Sequence, residues 1–254
     1  MSFLSGEAGK AQHGTRHVGD ICLNVKKRRE EKRSLMDMSE LPSGPKLNLG
    51  CGPVQPAGWI NIDGSNRAYL ASNLHWVDSM MVKCRLIPPT EFSKSTKYCN
   101  LLKGLPYPNN SIACIYAGEL WEHFEHPSAS SLTKECYRVL KTNGVLRVCV
   151  PDGPTFWGKY VQLYHEEMSK PRGDRKAETL IKHTQMFFNE ICTKKKYLGS
   201  MGHTHKWNFD EVQLIEMFEL SGFSCVERMQ FQESRIPDVD RVERSDFLIV
   251  EGIK

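Results

Sequence analysis

The segment LNLGCG (residues 47–52) carries the residue types and spacing that point most directly to chemistry in this chain of 254 residues. Gly50 and Gly52 end a short apolar run, and glycines there let backbone N–H groups approach a ligand closely, because no Cβ stands in the way. A second run, WINID (59–63), ends in Asp63. An acid ending a neighbouring strand can accept hydrogen bonds from both hydroxyls of a ribose. Ligands of open parallel sheets lie across the carboxyl ends of the strands, so both elements would face one pocket. A dinucleotide fingerprint would need a third glycine opening a helix and an acid about 20 residues further on. Here Gly52 is followed by Pro53, Pro56 and Gly58, and Asp63 comes 13 residues after Gly50. A full crossover helix scarcely fits that interval. A pyrophosphate seated on a helix N-terminus is therefore disfavoured.

Histidines supply the candidates for proton chemistry. His123 and His126, with Glu122 beside them, follow the run SIACIYA (111–117). Imidazole changes charge near neutral pH, so His123 is the candidate base for an acceptor that must lose a proton. Its competing reading is a histidine that structures the loop. GHTHKW (202–207) places His203, His205 and Trp207 ahead of a late helix. Two histidines at i, i+2 could begin a metal site, but no clustered Cys or acid completes four ligands in the sequence. The reading is a substrate pocket or a helix start, with no metal. Phe156, Trp157, Tyr160 and Tyr164 recur at helical spacing. Core packing is their default, and a pocket lid that includes Trp157 is the sharper alternative.

Short apolar runs alternating with helical patterns must position these groups. KLNLG (46–50), WINID, SIACIYA and GVLRVCV (144–150) read as strands. Between the last two, Leu132, Cys136, Val139 and Leu140 fall on one face of a helix. Pro127 and Ser128 precede that helix, and Asn143-Gly144 is suited to a left-handed cap at its end. Alternating strands and helices indicate a parallel sheet covered on both faces. Residues 154–200 are helical in period and read as an insertion after the fifth strand. In FDEVQLIEMFELSGF, Asp210 reads as an N-cap with Gln213 as its capping-box partner. Phe209 and Leu214 fall at staple positions, and Gly222 ends the helix. CVERMQF (225–231) and SDFLIVEG (245–252) can form a final antiparallel hairpin.

Taken in order, these blocks resemble the class I S-adenosylmethionine-dependent methyltransferases, in particular the type 11 group. KLNLGCGP with GWINID is similar to that group's first two motifs, including the abbreviated first crossover. YCNLLKGLPYPNNSIACIYAGELWEHFEHP is similar to its adenine loop, fourth strand and Glu-His segment. LTKECYRVLKTNGVLRVCVPD is similar to its next helix and fifth strand, and HKWNFDEVQLIEMFELSGF to its late helix. The likeness spans about residues 45–252. It implies a Rossmann-like α/β fold: a seven-stranded, mainly parallel sheet with an antiparallel last strand, helices on both faces and a helical insertion after strand 5. It implies a domain over 41–254, with an acceptor or lid insertion at about 154–205; the polar, Gly-containing composition of residues 1–40 reads as a basic extension, expected to be partly disordered. The cofactor would be S-adenosyl-L-methionine, held by Asn48, Leu49, Gly50, Cys51, Gly52, Asp63, Asn100, Leu101, Gly118 and Glu119. The family usually has Asp where Asn100 stands. An amide oxygen still accepts a bond from the adenine amine, without charge assistance. His126, Trp157, His203, His205 and Trp207 would lie toward the acceptor.

Composition sets the remaining bounds. Hydrophobic residues at 40% and charged residues at 25% are ordinary for a globular protein and exclude a disordered or fibrous chain. The net charge of +4 hides a contrast: residues 170–196 carry 8 basic and 3 acidic side chains, while 197–254 carry 6 and 11. The basic block (Lys170, Arg172, Arg175, Lys176, Lys182 and Lys194–Lys196) could face an anionic acceptor, and its plainer reading is a solvated helix face. Nine scattered cysteines without a Cys-x-x-Cys pair suit buried thiols in a reducing compartment, so a cytoplasmic location is expected. No apolar run reaches a membrane span. No [DNS]-P-P-[YF] follows the fourth strand, which argues against amino-methylation of nucleobases. The acceptor is therefore read as a small or sugar-like molecule. The competing class is a non-catalytic module that binds nucleic acid or a protein partner, motivated by the basic runs 26–33 and 170–196.

Overall fold

A computed structural model describes residues 41–254, apart from 88, 90, 91 and 189–203. The expected extension over 1–40 lies outside the described residues, as do His203 and Lys194–Lys196. Among the described residues, seven strands form one sheet: β1 Lys46–Leu49, β2 Ile60–Asp63, β3 Lys97–Tyr98, β4 Ile112–Gly118, β5 Leu140–Val150, β6 Ser224–Arg228 and β7 Leu248–Ile253. Their order is β3-β2-β1-β4-β5-β7-β6. β1 to β5 pair in parallel, and β7 runs antiparallel to both β5 and β6. This is the Rossmann-like α/β sheet with a reversed last strand. The order turns back between β1 and β4, where open α/β sheets leave a crevice for ligands.

Burial explains the strand sequences. Every residue of β4 is buried and so is Leu47–Leu49 of β1, which is why these strands read as continuous apolar runs and not as alternation. Their side chains meet α3 (His126–Val139) and α6 (Glu211–Leu220), whose Leu132, Cys136, Leu214 and Phe218 enter the same core. The remaining helices are α1 Asn66–Asn73, α2 His75–Lys83, α4 Gly153–Met168 and α5 Glu178–Phe187. α4 and α5 form the helical insertion after β5.

Two local expectations change. α3 starts one turn earlier than expected, with Pro127 inside its first turn, where the missing N–H costs nothing. It also stops at Val139, because Leu140 already pairs with Ile112 as the first residue of β5. Asn143 does adopt a left-handed φ of 63°, but within a bulge of β5, where its N–H donates to the Lys254 carbonyl at 3.0 Å. Pairing with the end of β7, not a helix cap, sets that conformation.

Beyond β5 the chain is tied back by a buried ionic cluster. Arg147 donates to the Glu243 carboxylate at 2.8 and 2.9 Å, to Glu251 at 3.0 Å, and to the carbonyls of Gln230 and Glu233. Arg147 is wholly buried, and Glu243 is tightly buried with it. Burial opposes the guanidinium charge, yet the two carboxylates more than offset it and hold its pKa above the ordinary value. The cluster fixes the segment between β6 and β7, and Arg244 sits on that segment.

Candidate active site

Local chemistry fixes the turn after β1. Gly50 and Gly52 have φ of 63° and 49°, the left-handed region that glycine adopts without strain. A Cβ on Gly50 would stand 3.0 Å from a methyl of Leu120. Asn48 is fully buried and donates to the Val54 carbonyl at 2.8 Å and to Asn61 at 3.0 Å, which pins the shortened crossover to both strands. Asp63 ends β2 and accepts the N–H of Gly52 at 3.2 Å and of Ser65 at 2.8 Å. Its carboxylate therefore bridges the turn and the start of α1, where Ser65 is the N-cap.

A cavity of about 430 Å³ opens at these strand ends. Gly50, Gly52, Asp63, Asn100, Leu101, Gly118 and Glu119 line it. His123 and His205 line it too, with Leu120, Phe124, Lys206 and Arg244. Asn48, Leu49 and Cys51 stand behind the wall and shape it. Burial pushes the Cys51 thiol up to about 12, with the Asp63 charge adding to the effect, so it stays neutral at physiological pH. Asn100 uses its amide oxygen to accept the Leu102 N–H at 3.1 Å, capping the turn Leu101–Lys103. That oxygen keeps a second lone pair. Glu119 adopts a left-handed φ of 54° directly after β4, and Ser245 donates to its carboxylate at 2.6 Å.

His123 and His205 are brought together by the backbone. Trp121, fully buried, donates to Thr133 of α3 at 3.1 Å and so anchors the turn Trp121–His123. The carbonyl of Glu122 accepts the N–H groups of Lys206 at 2.7 Å and Trp207 at 3.2 Å. The two imidazoles then meet edge to face, with ring centroids 4.9 Å apart. Glu122, 1% exposed, lies beside them, 4.0 Å from the Nε2 of His205.

The other sequence candidates lie off this cavity. His126 packs against Trp207, whose indole donates to Gln213 at 2.8 Å where α6 begins. Gln213 also donates to the Asp210 carboxylate, and Asp210 caps α6. Trp157 is on the exposed insertion, edge to face with Phe156. Sequence reasoning missed Arg244, Lys206 and Leu120. They come from three distant segments, and no local spacing signals them. Glu122 was visible only as a neighbour of His123, because folding alone brings His205 to it.

The fold and cavity meet the needs of a nucleoside-bearing methyl donor: glycine backbone that a Cβ would obstruct, an acid at the end of β2, and an apolar Leu101 wall. Residues 47–148 match the family model Methyltransf_11, described as a methyltransferase domain. Residues 47–148 thus carry a methyltransferase domain, with S-adenosylmethionine as its cofactor. No curated protein matches the sequence. Among solved structures, a methyltransferase from Thermotoga maritima described as a possible histamine N-methyltransferase is 14% identical. The match covers 94% of this chain and 99% of that one, with a TM-score of 0.43. A methyltransferase from Archaeoglobus fulgidus is 13% identical over 92% and 99%, with a TM-score of 0.44. The magnesium protoporphyrin IX methyltransferase of Synechocystis PCC 6803 with bound S-adenosylhomocysteine is 12% identical over 98% and 90%, with a TM-score of 0.42. Likeness at this level carries no argument about the acceptor.

Proposed function

We propose that this enzyme methylates a small acceptor bearing an anionic group, at the end of the cavity lined by His123, His205 and Lys206. The observation that carries this reading is one cavity with two chemically distinct kinds of lining. Backbone glycines, Asp63 and Leu101 share it with two imidazoles and the cations Lys206 and Arg244. When bound, S-adenosylmethionine supplies a methyl group on a sulfonium, which is already a good leaving group. The chain's residues then have three tasks: hold, align and exclude water. Asp63 accepts from the ribose hydroxyls, Leu101 packs on the adenine, and the amide oxygen of Asn100 accepts from its amine. Arg244 reaches Gly52, and its guanidinium suits the carboxylate of the methionine part. His123, with its neighbours, faces the acceptor and handles the proton the acceptor loses.

The basic block on the insertion does not favour a polyanion. Lys170 pairs with Glu167 at 2.6 Å and Lys182 with Glu178 at 2.7 Å, while Arg175 donates to carbonyls of its own segment. Lys170, Arg175 and Lys182 thus find partners close by, which lends support to a small molecule over nucleic acid. Among the described residues, no helix is long and apolar enough to cross a membrane.

The test is transfer of labelled methyl from S-adenosylmethionine to fractionated metabolite extracts, with calorimetry of S-adenosylhomocysteine in parallel. Label should enter low-mass, anion-exchange-retained fractions. Incorporation only into protein or nucleic acid would overturn the acceptor class.

A further inference from the structure

We propose that Glu122, His123 and His205 form a binding site for a divalent transition-metal ion, zinc by the chemistry of the set. Each residue offers one ligand atom, and these atoms lie within 4.8 Å of one another. Zinc bound at about 2.1 Å by nitrogen and oxygen in a tetrahedral site needs ligand atoms about 3.4 Å apart. Side-chain rotation closes that difference without moving backbone, because the turn Trp121–His123 and residues 206–207 are already joined through the Glu122 carbonyl. Two imidazoles with one carboxylate suit zinc and its first-row neighbours, whereas calcium and magnesium take mainly oxygen ligands. A carboxylate 1% exposed between two imidazoles is also stabilised by a cation held among them.

Second partners for the ligands are present. His123 approaches the Thr204 carbonyl through Nδ1 at 3.4 Å, a contact that helps to orient the ring. Both imidazoles stand in the cavity wall, and Glu122 stands behind it. Three protein ligands leave at least one coordination position, and it lies on the side of the two imidazoles that the cavity exposes. Resting on the methyl-transfer reading, this narrows the acceptor to compounds with a hydroxyl, thiol or amine that can occupy that position. With an ion bound, His123 would hold it instead of taking the proton, and the ion would lower the acceptor's pKa so that the proton leaves to solvent.

The test uses tag-free protein, full-length and freed of metal by EDTA, titrated with Zn²⁺ against a chromogenic chelator. One equivalent should bind tightly. His123→Gln and His205→Gln, which keep size and polarity, should each weaken it at least about 10-fold, the loss seen even for residues that only support a ligand. Co²⁺ should give the intense visible bands of a four-coordinate site. Circular dichroism of the same samples reports folding, and S-adenosylhomocysteine binding reports the cofactor site. Absence of zinc binding by protein that still binds S-adenosylhomocysteine overturns the site. So does zinc affinity unchanged in both Gln variants. Zinc bound by a chain that fails to bind S-adenosylhomocysteine supports the site and counts against the functional reading instead.

Discussion

Arg244 packs against Gly52 in the cavity wall: the Nη1 of Arg244 lies 3.4 Å from where a Cβ on Gly52 would stand. The guanidinium therefore rests on the glycine turn after β1, although it arrives from the segment before β7. A charge-assisted bond of this kind contributes about 1.5–3 kcal/mol. Arg244→Ala should raise the Kd for S-adenosylhomocysteine about 10- to 150-fold. Affinity for 5′-methylthioadenosine, which lacks the amino-acid part, should stay the same. Equal losses for both ligands would place Arg244 elsewhere.

Asp63 offers a second measurement, because its two oxygens each accept one backbone N–H, from Gly52 and from Ser65. Asp63→Asn turns one acceptor into a donor aimed at another donor. An unmet donor here costs about 1–3 kcal/mol. Melting temperature should fall by about 2–4 °C for each kcal/mol lost. S-adenosylhomocysteine binding should weaken by at least about 10-fold, since the ribose loses its charged acceptor. A variant with wild-type affinity would remove Asp63 from the ribose.

The glycine turn, Asp63 and the central strands were legible in the sequence because they are local. β1, β2, β4 and the second half of β5 are short apolar runs, and the shortened crossover is visible as prolines between Gly52 and Asp63. The acceptor end was not legible to the same degree. His205 reaches Glu122 only because residues 206–207 donate to the Glu122 carbonyl, a contact between distant segments. Arg244 depends on Arg147 and Glu243, whose pairing no periodicity announces. The end of α3 misled for a related reason: Asn143 has cap chemistry, but β5 claimed the preceding residues first.

That dependence of Arg244 on Arg147 is itself testable. Arg147→Met would leave Glu243 and Glu251 buried without their cation, at a cost of about 3–5 kcal/mol. Urea unfolding should show the loss directly. A triple replacement, Arg147→Met with Glu243→Leu and Glu251→Leu, should recover much of it, because a buried ion cluster contributes little net stability over apolar packing. The triple variant should nonetheless bind S-adenosylhomocysteine poorly, since nothing then orients Arg244. Wild-type affinity in the triple variant would mean that Arg244 is positioned independently of the cluster.

Buried thiols set the alkaline limit of the fold. Burial pushes Cys51, Cys114 and Cys149 from 9.0 up to about 12, and moves Cys136 in the same direction. Above about pH 9 the unfolded chain releases these protons while the folded chain keeps them, so the folded state binds more protons. Stability is therefore complete below pH 9 and is lost as pH rises toward 12. Each thiol contributes about 1.4 kcal/mol per pH unit in that window. Lysines and tyrosines also titrate there, so the informative comparison is Cys114→Ala/Cys149→Ala against wild type in urea melts at about pH 8, 9 and 10. The double variant should start less stable, because two small cavities are opened, and lose less as pH rises. Parallel pH slopes for the two proteins would show that these thiols ionise as readily in the folded state as in the unfolded one.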